Sequence, residues 1–146
     1  MFTRPWVTYL ATLLAPAFCA VAGNGTVELH VVNGKNGKPV AHAHVLVFQG
    51  ASTEEVTQQR HPIELRTDSE GVAVLPKDTM MPWLRVFVDW HRPCQTDPQG
   101  GIYPLAKITG EGLVTPNTCG SITRKASPYD LYFFVRAETL LEKMRS

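Results

Sequence analysis

The sequence predicts an all-β fold: a single two-layer sandwich of about seven strands, followed by a short C-terminal helix. Three observations carry this expectation. Short apolar runs alternate with polar residues at the two-residue period of a half-buried strand. Turn-forming clusters of Asn, Gly, Asp and Pro separate those runs at short intervals. Beyond residue 22, helical periodicity occurs only at the extreme C-terminus.

The elements follow in order. In "TVELHVV", Val27, Leu29 and Val31 alternate with Thr26, Glu28 and His30. "NGKNGKP" then contains two Asn-Gly pairs, a strong turn signal. "VAHAHVLVFQG" reads as the next strand, with Ala43, Val45 and Val47 on one face and His42, His44, Leu46 and Phe48 on the other. Residues 50–61 are polar and predict a mobile loop. "IELRTDSEGVAVLP" predicts a hairpin turning at Asp68-Ser69-Glu70-Gly71, where glycine supplies the positive φ the turn requires. "WLRVFVDW" is the most strand-like run, and its Trp83, Phe87 and Trp90 are expected in the core. An irregular stretch from His91 to Pro128 includes a short strand near "IYPLAKI". "DLYFFVRA" closes the set, and "AETLLEKMRS" suits a helix with Ala137, Leu140, Leu141 and Met144 at helical spacing.

Residues 1–22 read as a secretory signal: Arg4, then an apolar stretch from Trp6, ending in the small-x-small pattern Ala20-Val21-Ala22. The domain then covers residues 23–146, and no later segment approaches the roughly 20 apolar residues of a membrane span. A secreted or periplasmic location is expected. Cys19 would leave with the leader. Removal of the leader takes away Arg4 and no acid, so the 14 Lys/Arg and 13 Asp/Glu of the chain become 13 and 13. A near-neutral domain with scattered basic residues argues against capture of nucleic acid.

The domain keeps two cysteines, Cys94 and Cys119, and an even count in an exported domain predicts a disulfide. The chain-entropy picture assigns a ring of this size roughly 3 kcal/mol of stabilisation. The pairing also answers the question posed by "VDWHRPC", which places Asp89, His91 and Cys94 together: a bonded cysteine is not a nucleophile.

Gly37-Lys38-Pro39-Val40 with Ala43, Val45 and Val47, followed by Thr67-Asp68, Gly71, Val72 and Val74, resembles the carboxypeptidase regulatory-like domain family over residues 25–75. The resemblance implies a prealbumin-like (transthyretin-like), immunoglobulin-like β-sandwich and a non-catalytic module that binds protein or glycan at the cell envelope. Here the domain is nearly the whole chain, whereas family members are commonly attached to something larger. Two related enzyme groups are disfavoured. The Tyr-Arg-Gly-Ser ending of the hydroxyisourate hydrolases is missing, because this chain ends "LLEKMRS", and no Tyr-x-x-His pair suits the iron of the intradiol dioxygenases.

Four sets of residues remain as candidates for function. His42 and His44, two apart on one strand face, could ligate copper or zinc with His30 as a third ligand, although polar positions of an alternating strand hold histidine without a metal. Asp89 and His91 could act as a general base, yet Pro93 marks the end of the strand and no nucleophile-elbow motif is present. The long loop closed by Cys94 and Cys119 could bind a partner, with Tyr103, Gly100 and Gly101 as a contact surface; covering a sheet edge is the plainer role. Asn24-Gly25-Thr26 is a glycosylation acceptor in a eukaryotic host. The expectation is a non-catalytic binding module with no cofactor. A metal-binding protein of the periplasm and a small hydrolase are the alternatives.

Overall fold

The computed structural model describes residues 25–96 and 101–145. The expected leader, Asn24 and Gly100 lie outside the described residues. Among the described residues nine strands form two sheets. In chain order they are β1 (Thr26–Asn33), β2 (His44–Gly50), β3 (Ile63–Arg66), β4 (Val72–Pro76), β5 (Trp83–Val88), β6 (His91–Pro93), β7 (Ile102–Pro104), β8 (Leu113–Val114) and β9 (Asp130–Ala137). Two short α-helices, α1 (Thr53–Thr57) and α2 (Leu105–Gly110), and a 3-10 turn at Lys77–Thr79 interrupt them, and α3 (Leu140–Lys143) follows β9. Among the described residues no helix is long and apolar enough to cross a membrane.

The first sheet runs β4-β1-β9-β6, with β8 also pairing β9, and the second runs β3-β2-β5-β7. Most pairs are antiparallel. The exceptions are β1 with β9, aligned from Glu28 opposite Asp130 to Asn33 opposite Val135, and β8 with β9. Alternation decides what each strand buries. Val27, Leu29 and Val31 of β1, Leu131, Phe133 and Val135 of β9, Val45 and Val47 of β2, and Leu84, Val86 and Val88 of β5 all join one core. A second, smaller cluster lies on the far face of the first sheet. There Val32 and Phe134 pack with Cys94, and Cys119 and Ile122 lie against them. Cys94 and Cys119 are bonded as expected, so the disulfide lies on the outer face of the first sheet beside Val32 and Phe134.

Several expectations are corrected. Residues 50–61 hold α1 rather than a featureless loop: Ser52 caps it by accepting from Glu55 N–H, and Val56 is completely buried. Gly50 permits that docking, because a Cβ there would stand 2.9 Å from the Val56 backbone nitrogen. The segment 63–76 is not a hairpin, since β3 belongs to the second sheet and β4 to the first. The turn itself forms as read. Asp68 Oδ1 accepts from the N–H groups of Glu70 and Val72, and Gly71 takes φ +76°. These backbone donors, Val72 first, hold the Asp68 carboxyl below its ordinary range. β4 turns Ala73 and Leu75 inward and leaves Val72 and Val74 outside. The stretch from His91 holds the expected strand at β7 and two further short ones, β6 and β8, that bring the total above seven. Trp90 is 62% exposed and is not a core residue.

Thr67 sits where the chain leaves the second sheet. It is 1% exposed, and its hydroxyl donates to the Val40 carbonyl at 2.7 Å while accepting from Ala43 N–H at 2.8 Å. One side chain thereby joins the entry of β2 to the exit of β3. Thr67→Val keeps the shape and strands both partners, so we expect a loss of about 1–3 kcal/mol in urea unfolding. Reduction of Cys94–Cys119 should remove roughly 3 kcal/mol and lower the melting temperature by about 10 °C. A melt unchanged by dithiothreitol, with reduction verified by thiol titration, would contradict this.

Candidate functional site

The stretch 88–94 crosses from one sheet to the other. Val88 ends β5 in the second sheet, His91 begins β6 in the first, and Asp89-Trp90 makes the turn between them. Trp90 takes φ +63°. A bulky residue in the left-handed region is a conformational outlier that its surroundings must hold in place. The Trp90 carbonyl accepts from Glu138 N–H at 2.8 Å, and the Lys143 ammonium lies 5.4 Å from the centre of its ring. The indole thus stays in solvent on a fixed backbone.

Asp89 does not pair with His91 through its carboxylate. Its Oδ2 accepts from His44 Nδ1 at 2.6 Å, whereas His91 Nδ1 donates to the Asp89 main-chain carbonyl at 2.8 Å. The reason is register. Val45 opposes Val88 in the β2–β5 ladder, and Asp89 N–H continues it to the His44 carbonyl, so His44 and Asp89 are direct cross-strand neighbours. The second imidazole nitrogen of His44 is 3.5 Å from Glu64 on β3. The hydrogen bond to Asp89, helped by the negative charges of Asp89 and Glu64, raises the His44 pKa above the usual imidazole value.

Beside this turn opens a groove of about 570 Å³. Leu46, Phe48 and Phe87 supply apolar lining, and the two phenylalanines meet edge to face with centroids 5.5 Å apart. Gln59, Asp89, His91 and Gln95 contribute polar lining, together with Arg92, Arg136, Glu138 and Glu142, which are matched in pairs. Arg92 meets Glu138 at 3.2 Å. Arg136 grips both oxygens of Glu142 at 2.7 and 2.9 Å, which holds that carboxyl well below the ordinary range. A smaller hollow of about 330 Å³ on the other side of the turn is lined by His42, His44, Arg66, Asp89, Trp90 and His91, among others. No serine, threonine or cysteine is among the described residues lining either recess, and Cys94 is in its disulfide. The chemistry on offer is aromatic contact, hydrogen bonding and paired charge.

The remaining candidates fall elsewhere. His42 precedes β2 in a turn at φ +56°, so it does not share a strand face with His44, and His30 lies on β1 in the first sheet. Among the described residues no group of potential metal ligands includes His42 or His44. Tyr103 is 6% exposed, packs edge to face on Phe133 and accepts a hydrogen bond from Gln95. It is therefore a core residue and not a contact surface; Gly101 is half-buried beside its ring. The sequence reading missed the His44–Asp89 pair, the Arg136–Glu142 fork and the groove between them. The only available signal was the polar end of "VDWH" facing the polar start of "HVLVF". Comparison with protein families, curated proteins and solved structures found no match to this chain.

The raised His44 pKa has a defined sign. The contribution of its charged form to stability is fully present below the unfolded imidazole pKa of about 6.5. It is lost as pH rises through the higher folded value. In an NMR titration, His44 should titrate above 6.5, and Asp89→Asn should bring it down. His44→Gln should flatten the pH dependence of the melting temperature above neutrality.

Proposed function

We propose that this chain is an exported, non-catalytic binding module of prealbumin-like sandwich type, and that it takes a carbohydrate or protein ligand into the groove beside Trp90. The observation that carries the reading is the exposed indole, fixed at φ +63° next to an aromatic-lined groove. Exposing a tryptophan and holding it in a disfavoured backbone conformation both cost free energy, and such combinations cluster at sites of recognition. The charges of the groove are matched internally, so the lining suits a neutral polar ligand with one flat apolar face, which is how a sugar ring stacks on an indole. The disulfide and the resemblance of residues 25–75 to the carboxypeptidase regulatory-like domain both fit a module that works outside the cytoplasm.

A glycan array, followed by calorimetry on each hit, tests the reading. Trp90→Ala should weaken binding by about tenfold or more, in line with the loss of a buried aromatic anchor, without a large change in melting temperature. Ligand-induced NMR shifts should map to Phe48, Phe87 and Trp90. Shifts confined to another face, or full affinity in Trp90→Ala, would overturn the assignment.

A further inference from the structure

The outer face of the first sheet carries a second polar group, far from the groove in sequence. In the parallel β1–β9 ladder Glu28 stands directly opposite Asp130, and His30 stands opposite Tyr132. One ligand atom from each of Glu28, His30 and Asp130 lies within 4.8 Å of the others. Two carboxylates directly opposed on neighbouring strands repel each other, and here no lysine or arginine forms a described ion pair with either. His30 Nε2 points between them, 3.4 Å from Glu28 and 3.5 Å from Asp130. It forms no hydrogen bond, although the atom itself is sealed from solvent. A buried imidazole nitrogen without a partner needs an explanation.

The surroundings hold these atoms in position. The Tyr132 ring stacks on His30 with centroids 4.3 Å apart and planes 11° from parallel. Ser127 N–H donates to Asp130 Oδ2, which leaves Oδ1 towards His30. This is the outer support that orients a ligating carboxylate. The Glu28 side chain is about half exposed, so the cluster opens to solvent on its side.

We propose that Glu28, His30 and Asp130 bind a divalent transition-metal ion of the zinc class. The donor set is one imidazole nitrogen and two carboxylate oxygens, which suits such an ion better than calcium or magnesium. The spacing agrees. Ligand bonds of about 2.0–2.1 Å in a tetrahedron place neighbouring ligand atoms roughly 3.3–3.4 Å apart, close to the two separations observed at Nε2. Two carboxylates and a neutral imidazole neutralise a divalent charge, and three protein ligands leave a position for water or a fourth donor. The ion would replace the repulsion between Glu28 and Asp130 with a common attraction and would give His30 Nε2 its missing partner.

Zinc chloride titrated into the purified, EDTA-treated protein, made without a polyhistidine tag, tests the site. Calorimetry should show one ion per chain, and the melting temperature should rise with zinc. His30→Gln and Asp130→Asn should each weaken binding by about tenfold or more, while His44→Gln and Trp90→Ala should bind as the wild type does. Metal-free circular dichroism melts verify that the variants fold. Should either fail to fold, Glu28→Gln at the exposed ligand takes its place. Absence of heat and thermal shift with zinc, full binding in His30→Gln, or loss only in His44→Gln would each overturn the proposal.

Discussion

The parallel pairing of β1 with β9 is the constraint on which the molecule depends. It joins the first strand of the described chain to the last, more than a hundred residues away, along six aligned positions. Such a contact gains nothing until the intervening loop is closed, so its stability must come from what the two strands bury together. They bury a great deal. Val27, Leu29 and Val31 lie beside Leu131, Phe133 and Val135 on the core side. On the far side Val32 and Phe134 form a second apolar patch under the disulfide. Thr115 reinforces the same strand, accepting from Phe134 N–H through its hydroxyl and donating its own N–H to the Tyr132 carbonyl.

Polar side chains concentrate where the chain leaves one sheet for the other. At such a crossing the backbone loses its ladder partners, and its buried N–H and C=O groups must find others. Asn33 and Asn36 serve the turn after β1 by accepting from Lys35 and Lys38 N–H. Thr67 and Asp68 serve the passage from β3 to β4. At the crossing between β5 and β6 the Asp89 carboxylate reaches His44 instead, and Trp90 takes the strained conformation. The first two of these spend their polar groups on the backbone, whereas the β5–β6 crossing presents them around a groove.

The groove and the His30 cluster illustrate opposite electrostatic arrangements. In the groove each guanidinium has a carboxylate, and the Arg136–Glu142 fork is a bidentate, charge-assisted contact. Field from these matched pairs falls off quickly, so the aromatic side chains Phe48 and Phe87 give the groove its character. On the outer face of the first sheet two carboxylates share one imidazole whose inward nitrogen is unbonded. No guanidinium or ammonium is paired with either carboxylate among the described ion pairs.

The sequence alone determined the longer strands, the turn at Asp68–Gly71 and the sulfur pairing, because each depends on neighbours close along the chain or on the even cysteine count. Alternation in "TVELHVV" and "DLYFFVRA" set the buried faces of β1 and β9, and Asp68 with Gly71 marked its turn. Tertiary structure alone decided which sheet each strand joined. The 63–76 segment shows why: a short turn of the same residues can reverse a hairpin or cross between layers, and only packing distinguishes the two. Trp90 looked like core by composition, but one left-handed residue turned it outward. Asp89 was legible as polar, whereas its partner was fixed by cross-strand register with His44. Glu28, His30 and Asp130 come together by the same kind of register, through a parallel ladder that no local pattern encodes. Side-chain period says which way a residue points, and only the pairing of distant strands says what it meets there.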